Sequence, residues 1–68
     1  MDHIAHIEFD DEDSETPGFI NVRADARAVG ISMALVGSGD FEIFVSSEKA
    51  QELARALEAA AKRAVGNS

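Results

Sequence analysis

The stretch EFDDEDSETPG, Glu8 to Gly18, carries six carboxylates in its first eight positions and no basic residue. Carboxylates packed this densely can hold a cation, attract a basic surface, or keep a connection solvated. The first option has a demanding form. A calcium loop of the EF-hand type needs alternating oxygen ligands, a central glycine for the sharp turn and a closing glutamate. A register starting at Asp11 puts Thr16 where the glycine belongs and Val22 at the close. A register starting at Asp13 gains Gly18 but places Pro17 among the ligands and Ala24 at the close. No metal site is expected from the stretch. Two readings remain. In one, it solubilises the chain and discourages sheet edges from pairing with other chains. In the other, Asp10, Asp11, Glu12, Asp13 and Glu15 imitate the phosphates of nucleic acid and bind the basic groove of a nucleic-acid-binding protein. That is an inhibitor of the phage anti-defence type, with fast, salt-dependent association.

Other residues with chemical potential are sparse. His3 and His6 stand three apart, which on a strand sends them to opposite faces, and no further zinc ligand lies near them. They are expected to be surface histidines. Gly37-Ser38-Gly39 resembles part of a phosphate loop, but a strand follows it rather than the helix whose amides would hold the anion. A turn is the expected outcome. Neither a nucleophile elbow nor a Ser-His-Asp arrangement can be assembled, so the chain is expected to be no enzyme, with no catalytic residue and no cofactor.

The net charge of −7 sits wholly in the N-terminal quarter. Residues 1 to 18 hold seven acidic groups and no Lys or Arg, whereas residues 19 to 68 hold six of each sign. Direct binding to nucleic acid or an anionic membrane is therefore disfavoured, since both need a basic patch. Cysteine is absent, which removes disulfides and thiolate metal sites together. Neither a secretory signal nor an apolar run of about 20 residues is apparent, and a cytoplasmic location is the expectation.

The elements that must position these groups follow from hydrophobic period. Residues 1 to 9 read as a first strand with Ala5, Ile7 and Phe9 on one face, and residues 10 to 18 as an acidic loop ending in the turn pair Pro17-Gly18. Alternation marks three more strands within residues 19 to 46: Phe19 to Ala24, Ala28 to Val36 and Phe41 to Ser46. The period then lengthens to that of a helix over residues 47 to 65, capped by Ser46 or Ser47, with a tail over residues 66 to 68.

One small α+β domain is expected: an antiparallel β-meander of three or four strands with one C-terminal α-helix packed on one face. Ile7, Phe9, Ile20, Val22, Ile31, Met33, Leu35, Ile43 and Val45 should then meet Leu53 and Leu57 beneath the helix. Ile4, Phe19, Ala34, Val36 and Phe44 fall on the other face among His6, Arg23, Ser32 and Glu42. A chain of 68 residues without disulfides or metal is close to the lower limit for folding alone. Phe19, Ala34, Val36 and Phe44 are accordingly assigned to a subunit interface, and the chain is expected to be a homodimeric protein-interaction or regulatory module.

Overall fold

The computed structural model describes residues 1–66. Strands β1 (Asp2–Asp10), β2 (Pro17–Ala24), β3 (Val29–Leu35) and β4 (Asp40–Val45) precede helix α1 (Ser47–Gly66). The strands form one antiparallel sheet in the order β1-β2-β3-β4, an open meander of the α+β class. The acidic segment is shorter than the sequence suggests, because Asp10 still pairs with Pro17 and only residues 11 to 16 form the loop. Pro17 is tolerated as the first residue of β2, where its missing N–H removes no interior ladder bond, and its carbonyl accepts from the Val36 amide at 2.9 Å. Of the tail expected from Gly66 onward, Gly66 is still helical, while Asn67 and Ser68 lie outside the described residues.

Register sorts the side chains onto two unlike faces, since directly opposed residues share a face. One face consists of the rows Ala5–Val22–Ile31–Ile43, Ile7–Ile20–Met33–Phe41 and Phe9–Gly18–Leu35. A fourth row, Ala24–Val29–Val45, has Asp2 at its outer corner. This is the apolar face. The other carries His6–Asn21–Ser32–Glu42 between Glu8–Phe19–Ala34–Asp40 and His3–Arg23–Gly30–Phe44. This is the mixed face.

Helix α1 starts one residue after β4. The Ser46 hydroxyl accepts from the Lys49 amide at 3.1 Å, so Ser46 is the cap. Lys49–Glu52 and Lys62–Glu58 pair along its polar side. Among the described residues, the expected docking of α1 on the sheet does not occur: residues 51 to 65 are all exposed, including Leu53 at 43% and Leu57 at 61%. The single residue Ser46 carries the chain from an edge strand straight into the helix, which leaves the sheet instead of folding back across it.

The consequence is a flat object of 38 × 31 × 15 Å with both sheet faces open. Its radius of gyration, 13.4 Å, exceeds the roughly 11 Å expected for a compact chain of this length. Among the described residues Ile31, at 8% exposure, is the one hydrophobic side chain that is buried.

Candidate functional site

The acidic residues meet at the β1–β2 turn, and the turn is well built. The Asp11 amide donates to the Thr16 carbonyl at 2.9 Å, and the Glu15 amide to the Asp11 carbonyl at 2.7 Å. Closing it so tightly puts Glu15 at φ 60°, in the left-handed region that side chains other than glycine seldom adopt. The Asp11 carboxylate accepts from both the amide and the hydroxyl of Ser14, at 2.9 and 3.0 Å. Those two donors, the amide foremost, hold its carboxyl below the usual carboxylate range. Asp25 does the same in the β2–β3 turn, where the amides of Arg27 and Ala28 lower its pKa. Asp11 is thus occupied in shaping the loop, while Asp10, Glu12, Asp13 and Glu15 stand exposed. Among the described residues, no group of three or more acidic or histidine side chains is placed to hold a metal ion.

This geometry carries a pH dependence. A carboxyl whose pKa is lowered on folding contributes stability that is present above its ordinary value, near 3.8. The contribution is lost as pH falls through the lower folded value. Asp11→Ala should therefore lower the melting temperature at neutral pH, and the gap to the wild type should narrow steadily as the pH is taken down through and below the ordinary carboxylate value. A gap that stays constant in acid would mean the carboxylate's charge has no part in holding the turn.

On the mixed face, His6 bonds Asn21 through Nδ1 at 2.5 Å and stacks on Phe19 with ring centroids 5.6 Å apart. Its Nε2 lies 3.7 Å from Glu8. His3 is not across the sheet from it, as simple alternation would have it. The register shifts between His3 and Ala5, so His3 opposes Arg23 and His6 opposes Asn21 on the same face. One extra residue in a β-bulge reverses the expected parity.

Of the residues assigned to a subunit interface, Phe19, Ala34 and Phe44 do share the mixed face, but they do not make one patch. Phe19 opposes Ala34, while Phe44 opposes Gly30 four residues along β3. Between them runs the polar row that includes Asn21, Ser32 and Glu42, and Glu42 pairs with Arg23 of the adjoining row. Val36 lies beyond β3, 71% exposed.

The larger unfilled surface is the apolar face, where Ile7, Phe41 and Ile43 are 50%, 57% and 44% exposed. At its β3–β4 hairpin end, Phe9, Met33, Leu35 and Phe41 line a groove of about 330 Å³ with Asp11 and Asp40 at its rim. From the sequence, Ile7, Phe9, Met33, Leu35 and Ile43 are expected in the monomer core beneath the helix. An Ala-rich helix joined through one residue was the signal that they would need cover from elsewhere. No protein-family profile, curated protein or solved structure matches the chain.

Proposed function

We propose that the chain is a small non-catalytic interaction or regulatory module that works as a homodimer. The observation that carries this is surface. The chain exposes 5448 Å², whereas a compact monomer of 7.2 kDa would expose about 4,100 Å². The excess is about 1,300 Å² per chain, so a pair that removed it would bury roughly 2,600 Å², within the range of obligate homodimers. Light scattering across the micromolar range should give twice the chain mass in both low and high salt, as apolar burial requires. A single-chain mass throughout would overturn the reading.

The decoy reading has one specific support, the ordered turn that presents Glu12, Asp13 and Glu15 from a fixed backbone. It asks for a basic nucleic-acid-binding protein that is captured in low salt and released in high salt. Neutralising those three carboxylates should abolish that capture, and capture that survives their loss would remove the decoy.

A further inference from the structure

The homodimer reading leaves open which surfaces meet, and the following rests on it. We infer that the two copies exchange helices, so that α1 of each lies across the apolar face of its partner's sheet. Among the described residues, neither the apolar face nor the Leu53–Leu57 stripe of α1 packs against another element. The apolar face has three rows without a polar side chain, two of them across all four strands, and the helix is exposed from residue 51 to 65.

Size and shape choose between the ways of joining them. The sheet face is built of bulky groups such as Phe9, Ile20, Met33, Phe41 and Ile43, whereas the helix stripe is Leu53 and Leu57 among alanines. Large against small is the combination that interdigitates, because alanine lets the helix axis come close while the long side chains fill the gap. Two sheets face to face would bury the bulky surfaces against each other and strand both helices in water. Two helices alone would leave both sheets open. Only helix on sheet covers both the apolar sheet face and the helix stripe.

Length agrees, since a helix of 20 residues spans about 30 Å, and strands of 6 to 9 residues span roughly 20–30 Å. The area agrees also, because the surplus surface of the single chain is of the size that a stable dimer buries. A one-residue connection that directs an element away from its own sheet is the arrangement in which exchange between copies costs least. In the exchanged pair, the groove among Phe9, Met33, Leu35 and Phe41 becomes a socket for side chains of the partner's helix.

The absence of native cysteine makes a direct test available. Chains carrying Leu57→Cys are mixed with mass-tagged chains carrying Met33→Cys, exchanged through mild denaturant and treated with a short bis-maleimide. The expected product joins one chain of each kind and shifts from single-chain to double-chain mass. The double variant in one chain, diluted with unlabelled wild type, should lose its cross-link in proportion to the dilution. A link formed only within a chain, only between two Leu57→Cys sites, or not at all in a sample that light scattering shows to be dimeric, overturns the exchange and leaves the homodimer standing. A single-chain mass overturns both. If either cysteine variant fails to fold, amide exchange on the wild type decides: protection of residues 50 to 61 should rise with protein concentration. Exchange at isolated-helix rates in a confirmed dimer counts against the proposal.

Discussion

Ile43→Asp is expected to turn a dimer into a single chain at micromolar concentration. Ile43 lies in edge strand β4 on the apolar face, opposite Ile31, and is 44% exposed in the chain alone. Within the single chain a carboxylate there keeps contact with water and does limited harm. Under a partner's helix the same carboxylate must lose its hydration. The lost burial of an isoleucine is worth about 1.5–3 kcal/mol, and a buried unpaired charge adds several kcal/mol more after relaxation. Two-fold symmetry repeats the penalty in both copies. A total above about 4 kcal/mol weakens dimerisation by at least roughly a thousandfold. Sedimentation or light scattering reads this as halved mass, and the melting temperature should fall and lose its dependence on concentration. Phe44→Glu, on the mixed face in the row that holds Gly30 and Arg23, is the matched control and should leave the mass at that of a dimer. A dimeric Ile43→Asp alongside a monomeric Phe44→Glu would place the interface on Phe19, Ala34, Val36 and Phe44 instead.

That contrast shows where the sequence was informative and where it was silent. The period of two in residues 19 to 24 and 29 to 35 and the change of period at Ser46-Ser47 are local, and local pattern sets element type. Strand order followed because the connections are short, as with the turn at Gly37 and Gly39, whose φ values of 83° and 77° suit glycine. Pattern also said that Ile7, Ile20, Ile31 and Ile43 want burial. It could not say by what, because a stripe of Leu53, Leu57 and alanines looks the same whether it covers its own sheet or another copy's. The bulge at Ile4 was equally invisible: one residue slipped into β1 moves His3 to the other face, and no residue type announces it. Charge density marked the acidic turn but not its ends, since Asp10 and Pro17 pair in the ladder. Its internal bonds, which tie the Asp11 Oδ2 to the amide and hydroxyl of Ser14, depend on a backbone conformation that composition does not encode.

Gly18→Ala should destabilise the fold sharply, whereas the same change at Gly30 should cost little. Neither glycine has the positive φ seen at Gly37 and Gly39, so backbone freedom does not explain them, and alanine would in isolation favour an ordered strand. The difference lies in what a methyl group meets. At Gly18 it would come within 2.6 Å of the Ala34 carbonyl oxygen, 2.7 Å of Leu35 Cδ2 and 3.0 Å of Phe9 Cζ. The carbonyl belongs to the β3 backbone and cannot retreat without disturbing the β2–β3 ladder. Phe9 and Leu35 are Gly18's neighbours in the row that ends the apolar face. At Gly30 the nearest atom is Cε1 of the Phe44 ring at 3.2 Å, on a ring 59% exposed and free to swing a few tenths of an ångström. Overpacking a site that cannot relax costs about 1–3 kcal/mol, and in a domain this small each kcal/mol moves the melting temperature by roughly 4–8 °C. Thermal melts of the two variants at one protein concentration should therefore separate clearly, with Gly18→Ala far below the wild type and Gly30→Ala close to it. Equal melting temperatures would mean that the Phe9 ring and the β3 carbonyl do not close over Gly18, and the socket at that end of the apolar face would lose the floor that shapes it.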